Sequence, residues 1–510
     1  MGRGMIERLR GRNAVPLVRI GVVLAFLLAG LLLVTPRLIV MQAPADLLQT
    51  AAQQPDASMA VIVQKWVYDD SLERLVTNLG GDVTGDLRII NAFTANVPGR
   101  AMAELAKAPG VRWVSLDAPM TRSAGPDASV STGDLVNIYN SAIGADRLWA
   151  QGYQGSSVTV AVVDSGVAKH DDLRVSGDRS SGSRPADSRV VFSTNNYRDS
   201  YGHGTFVAGV IGGNGSRSDG AYVGVAPKVR LIDVDVADAE GKATESAVVR
   251  GLQWVYNNRR AYDIKVLNLS MNGTVAASYQ TSPLDAALEV LWFNRIVVVV
   301  SAGNNGSRGI LYPPANDPFV ITVGAVNDRG TATTRDDVLA SYSAFGTTAD
   351  GVNNPDLVAP GSNIISLLAN ARSTINTLHP DHRVNEYYFR LSGTSVSSAV
   401  TTGAVALLLQ SNPSLTPDQV KYRLKATARP FGPRAGAGYL DVYAAVQRTT
   451  RQSANTGIAV SPLLRTGSDP LTWDSLNWDS LNWDSLNWDS VNWDSLNWDS
   501  LNWDSDYWGQ

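Results

Sequence analysis

The chain has no cysteine in 510 residues. That excludes disulfides, thiolate-held metals and a thiol nucleophile, but it leaves the compartment open, since many exported bacterial-type enzymes carry no disulfide. Histidine is scarce as well. There are four, His170, His203, His379 and His382, so an imidazole base has few candidates. Only 18% of residues are charged and the formal net charge is -4, which gives no sign of a nucleic-acid groove. The tail past Arg465 has no Lys, Arg or Glu, yet it holds nine Asp, so the acidic excess belongs to that tail alone. The apolar run Ile20–Val34 has fifteen residues, short of the roughly 20 that a membrane-spanning helix needs.

That run follows five arginines (positions 3, 8, 10, 12 and 19), and Ala43-Pro44-Ala45 lies beyond it as a small-x-small cleavage site. Residues 1–45 therefore read as a signal peptide, with an uncleaved membrane anchor through residues 20–34 as the alternative. A polar, Ala/Gln-rich linker is expected over 42–58. Strand patterns at 59–66, 87–97 (one strand or two) and 111–116 alternate with helical spacing at 71–79 and 100–107, giving a small α+β unit over 58–120. Residues 121–145 read as an exposed linker with a processing site.

Over 146–447 near-continuous β-branched runs (Val158–Val163, Val229–Val236, Ile264–Leu269, Ile296–Val300 and Val320–Val326) alternate with helical segments. Such runs suit strands covered on both faces, so an α/β fold with a mostly parallel sheet is expected. A linker is expected at 448–470. Residues 471–510 form a low-complexity tail of L/V-N-W-D-S units, with tryptophan every five residues from Trp473 to Trp503. Period five fits neither helix nor strand. The tail reads as a solvated extension, or as a surface-binding element whose indoles offer stacking faces to a cell-surface ligand.

Three short motifs carry the chemistry. Asp164 ends an apolar strand run in VAVVDSG, where α/β sheets place ligands. His203 stands between Gly202 and Gly204 in GHGTFVAG. Ser395 lies in SGTSVSSA just before a largely apolar helix, so its hydroxyl falls at a helix N-terminus, where a developing anion is favoured. Each has an ordinary reading alone: a strand-end carboxylate, a core histidine and a capping serine. Together they supply a nucleophile, a base near neutrality and an orienting carboxylate, in the chain order Asp-His-Ser. Asn304, after the strand run 296–300, can aim its amide at an oxyanion. Its ordinary reading is a turn residue.

With these motifs the chain resembles the subtilisin-like serine proteases (peptidase S8 family). Further matches are Gly224–Pro227, Leu267–Ser270 and Val358–Gly361. The resemblance implies a three-layer subtilisin-like fold and a serine endopeptidase with polypeptide substrates and no catalytic cofactor. It implies pocket walls at Ser270, Gly273, Ser301, Ala302 and Gly303, with small residues leaving room for a large apolar side chain. His170-Asp171-Asp172-Leu173 and the loop Asn214–Tyr222 resemble segments that bind structural Ca2+ in relatives. Met59–Leu116 resembles an inhibitory propeptide of ferredoxin-like α+β form, which would act as an intramolecular partner until self-cleavage between about Met120 and Ile143. Phe206 and Met271-Asn272-Gly273 depart from the common pattern. The competing reading is a catalytically silent adhesion or scaffold protein that uses the fold and the Trp tail for binding. Its mark would be a broken triad or a lost Asn304.

Overall fold

The computed structural model describes residues 42–122, 137–174, 189–306, 312–331 and 333–464. The apolar run at 20–34, most of the expected processing linker and the whole repeat tail lie outside them. Among the described residues no helix is long and apolar enough to cross a membrane.

The N-terminal unit is built on a four-stranded antiparallel sheet. Strand β1 (Ser58–Lys65) lies between β3 (Ala92–Pro98) and β4 (Val111–Leu116), and β2 (Asp82–Leu87) flanks β3. Successive strand side chains point to opposite faces, and β1 shows the consequence. Val61 and Val63 pack with Leu72, Val76, Met102 and Leu105 in the unit's own core. Ile62 faces the other way and joins the core of the larger unit, as do Leu87, Ile90 and Ala92. The sheet is thus sandwiched between its own helices and the larger unit.

The segment 87–97, open in sequence between one strand and two, holds the last residue of β2 and most of β3, separated by a 3-10 turn at Arg88–Ile90 and a left-handed Asn91 (φ 48°). Residues 42–58 are not a linker but carry helix α1 (Ala45–Gln53), with Leu47 and Ala51 buried one turn apart. The helix abuts Gly99, where a Cβ would come within 2.3 Å of the Gln54 carbonyl oxygen.

The larger unit has an eight-stranded sheet. Seven strands run β14-β13-β12-β10-β6-β8-β7 in space: β6 (Thr159–Asp164), β7 (Val190–Ser193), β8 (Arg230–Asp235), β10 (Ile264–Leu269), β12 (Val297–Ser301), β13 (Ile321–Asn327) and β14 (Val338–Leu339). The eighth, β15 (Leu357–Pro360), pairs with β13. All pairings are parallel except β13 with β14. Helices α2 (His203–Gly212) and α5 (Thr394–Ser411) pack on each other, with α5 lying over β10, β12 and β13. Helices α3 (Glu245–Asn258) and α4 (Pro283–Phe293) form a second layer against β6, β8 and β12. Strands β6 and β12 are buried along their whole length, as parallel strands between two helical layers must be.

Strand order reverses at β6, whose neighbours are β8 on one side and β10 on the other. A crevice at the carboxyl ends of the strands forms at such a point. Asp164 closes β6 there, Ser270 follows β10, and Asn304 follows β12.

Residues 448–464 also differ from the linker expectation. Val460, Ser461 and Leu463 are buried, and the turn Pro462–Leu464 packs on α4.

Candidate active site

His203 is the first residue of α2, and Gly202 before it adopts φ +105°. Gly204 allows the helix end to reach β6, since a Cβ there would lie 2.2 Å from the Gly166 carbonyl oxygen and 3.1 Å from the Asp164 Cβ. The imidazole meets both oxygens of Asp164 through Nδ1, at 2.9 and 3.0 Å, and its Nε2 lies 3.1 Å from the Ser395 Oγ. All three side chains are buried. A base, its orienting carboxylate and a hydroxyl in this line are equipped for proton removal during nucleophilic attack.

Ser395 sits in the first turn of α5, after Thr394. Backbone N–H groups in a first turn have no acceptor within their own helix. The turn is held from below by buried hydroxyls. Ser398 Oγ donates to the Ser395 carbonyl at 2.8 Å, Ser270 Oγ lies 3.1 Å from Ser398 Oγ, and Asn268 Nδ2 donates to Ser270 Oγ at 2.8 Å. Thr402 Oγ1 closes the set on Asn268 Oδ1 at 2.9 Å. Ser270, read from sequence as a pocket wall, is thus also part of the nucleophile's support.

Asn304 is fixed through its oxygen, which accepts from both the backbone N–H and the hydroxyl of Thr394 at 3.1 Å. Its Nδ2 is buried and has no hydrogen-bond partner. A buried amide left unsatisfied costs stability, and here it is held beside the residue preceding Ser395, where an oxyanion would form. Replacing Asn304 with Ala is expected to lower kcat by roughly 10²–10³-fold with KM nearly unchanged, as steady-state kinetics on a peptide substrate would show.

Asp199 escaped the sequence reading. One of its carboxylate oxygens accepts from Ser165 Oγ and the Gly202 N–H, the other from the N–H and hydroxyl of Thr205. It ties both flanks of His203 to the residue after Asp164. Burial pushes its pKa up to about 6 against these hydrogen bonds, and the charge of Asp164 adds to the rise. The available signal was its spacing, three residues before Gly202.

Of the residues expected to line the primary pocket, Ser301 and Gly303 are brought together by Asn272. Asn272 Nδ2 donates to the Ser301 carbonyl at 3.1 Å, and Ser301 Oγ donates to Asn272 Oδ1 at 3.2 Å. A Cβ on Gly303 would lie 3.7 Å from Asn272 Oδ1. Gly273 donates its N–H to Pro313 O at 2.6 Å, and Ala302 donates to Val323 O. These residues are small, and Asn272 bridges to Ser301 among them.

Strand β5 (Pro119–Arg122) lies along this wall. It pairs antiparallel with β11 (Met271–Gly273) in the register Arg122 to Met271, Thr121 to Asn272 and Met120 to Gly273. On its other side Pro119 and Met120 pair with β9 (Ala243–Thr244). Strand β5 is therefore the middle strand of a three-stranded sheet, and its described end at Arg122 lies opposite Met271, next to Ser270.

The segments expected to bind calcium meet differently. Asp172 accepts from Ser216 Oγ and the Arg217 N–H at 2.9 Å and from the Tyr388 hydroxyl. The Arg217 guanidinium pairs with Asp171 and stacks on Tyr387. Hydrogen-bond donors surround the carboxylate, where Ca2+ would require six to eight oxygens. Among the described residues no group of three or more His, Cys, Asp or Glu could hold a metal. These residues do not fit calcium, and thermal unfolding is expected to be unchanged by EDTA.

Residues 155–457 match the model of the Subtilase family (Peptidase_S8). Subtilisin E of Bacillus subtilis (strain 168) is 33% identical over 379 residues, 73% of this chain and 85% of the relative. Serine protease AprX of the same organism is 42% identical over 281 residues, covering 53% of this chain and only 61% of AprX. Among solved structures, fervidolysin from Fervidobacterium pennivorans, described as a keratinolytic enzyme related to subtilisin, superposes with a TM-score of 0.60 at 25% identity. That match covers 79% of this chain and 62% of that one. The chain belongs to the subtilase family of subtilisin-like serine proteases.

Proposed function

We propose that this chain is an exported, self-processing endopeptidase in which Asp164, His203 and Ser395 perform acyl transfer. His203 Nε2 takes the Ser395 proton as Oγ attacks the scissile carbonyl. Asp164 holds the imidazole in the required tautomer and stabilises the imidazolium. The Asn304 amide and the first-turn N–H groups of α5 receive the oxyanion. His203 then protonates the leaving amine, and water repeats the sequence to release the acyl group. The observation that carries this reading is the hydrogen-bonded line from Asp164 through His203 to Ser395, beside the unpartnered amide of Asn304. A silent scaffold has no use for a desolvated donor held there.

Self-processing is supported by β5. Its last described residue, Arg122, lies opposite Met271, next to Ser270, whose hydroxyl donates to the Ser395 carbonyl. The proposed cut falls between about Met120 and Ile143, and the unit ending in β5 is the inhibitory prosegment. N-terminal sequencing of the mature enzyme tests this. A start between about Met120 and Ile143 is expected, whereas a start outside that stretch would refute the processing reading. Export rests on the arginine-rich start and the apolar run Ile20–Val34.

Asn272 is expected to limit the primary pocket. Replacing it with Gly removes the bridge to Ser301, and kcat/KM for substrates with Phe or Tyr before the scissile bond is expected to rise relative to those with Ala. A peptide library profiled with both enzymes measures the change.

A further inference from the structure

The family match ends at residue 457, yet the chain continues in ordered contact to Leu464. Helix α4 is buried along its whole length, and two turns from opposite ends of the sequence cover it. One is Arg88–Ile90 of the N-terminal unit, the other Pro462–Leu464.

The C-terminal turn is firmly seated. Ser461 donates its N–H to Glu289 Oε2 at 2.8 Å, and the Tyr279 hydroxyl donates to the Ala459 carbonyl at 2.8 Å. Val460 and Leu463 are buried in the main core. From β4 of the N-terminal unit the buried Arg112 reaches across and donates through Nη1 to the Leu463 carbonyl, while its guanidinium lies 4.1 Å from the centre of the Trp66 ring. The prosegment therefore docks on a composite surface, partly family core and partly an added C-terminal strap.

We propose that residues 458–464 form a second latch for the prosegment, engaged through Arg112, that delays its release after self-cleavage. The proposal rests on the prosegment reading above. A charge-assisted hydrogen bond to a buried carbonyl governs dissociation more than association.

In the full chain Arg112→Ala is expected to cleave itself at the parental rate. The lag between cleavage and activity should shorten roughly tenfold, as loss of one such bond implies, with kcat/KM of the released enzyme unchanged. Truncation after Leu464 should keep the long lag, and truncation after Gly457 should lose it. An unchanged lag in Arg112→Ala overturns the proposal, as does a lag already lost on truncation after Leu464.

A second measurement does not depend on self-cleavage or on the shorter truncation folding. In the uncut Ser395→Ala chain, hydrogen exchange over residues 111–116 should quicken when Arg112→Ala is added. Equal exchange overturns the latch. Failure of the parental chain to cut itself would instead refute the processing reading.

Discussion

Replacing Ser395 with alanine is expected to lower kcat by on the order of 10⁶-fold and to leave the chain uncut, with the prosegment still attached. The magnitude follows from the geometry. The Ser395 Oγ is the hydroxyl 3.1 Å from His203 Nε2, and without it the imidazole has no group to activate. Asn304 and the cleft would still bind and polarise a peptide carbonyl, so some acceleration over water should survive. Because the change removes one oxygen from a small buried residue, the hydroxyl network beneath it remains, including Ser398 on the Ser395 carbonyl. The fold should therefore be intact, with thermal unfolding near the parental value. Residual kinetics, intact mass and a melting curve on one preparation separate loss of chemistry from loss of structure.

Replacing Asp164 with asparagine is expected to cost about 10⁴-fold in kcat with a much smaller effect on KM. Asp164 accepts from His203 Nδ1 through both oxygens and also from the Ser165 N–H. An amide is nearly isosteric but offers one acceptor and one donor. If its NH₂ turns toward Nδ1, the imidazole must carry its proton on Nε2, where it can no longer accept from Ser395. Asp199 cannot substitute, because its oxygens are committed to Ser165, Gly202 and Thr205. Steady-state kinetics across pH would show the loss.

The residues most legible in the sequence were those whose position is written in their immediate neighbours. Asp164, His203 and Ser395 each sit beside glycines or at an element end; each pattern has an ordinary reading alone, and the three in chain order point to one site. Asn304 was legible for the same reason. What escaped depends on partners far along the chain. Asn268 finds Thr402 134 residues away, Glu289 meets Ser461 172 residues away, and Arg112 meets Leu463 351 residues away. No local periodicity encodes such pairs. Residues 448–464 read as linker because their few apolar residues have no regular spacing; they are anchored by single buried side chains and backbone bonds. The helix Ala45–Gln53 was hidden by composition, since an Ala/Gln-rich stretch suits a helix as well as a linker. The residues expected to hold calcium are paired otherwise: Arg217 brings its own cation to Asp171, while its N–H caps Asp172.

The N-terminal unit is joined to β11, beside Ser270, through strand β5. Its sheet contributes Ile62, Leu87, Ile90 and Ala92 to the main core, and Asp117 caps helix α3 through the Ser246 N–H and hydroxyl at 2.9 and 2.7 Å. A carboxylate at a helix N-terminus is favoured by the helix dipole. These contacts hold β5 against β11, beside Ser270.

The most direct test of that account is to label the purified protein with a serine-directed fluorophosphonate and map the adduct by peptide mass. The account predicts a single adduct on Ser395 in the processed enzyme, lost in His203→Ala. No adduct, or labelling of another serine, would contradict it.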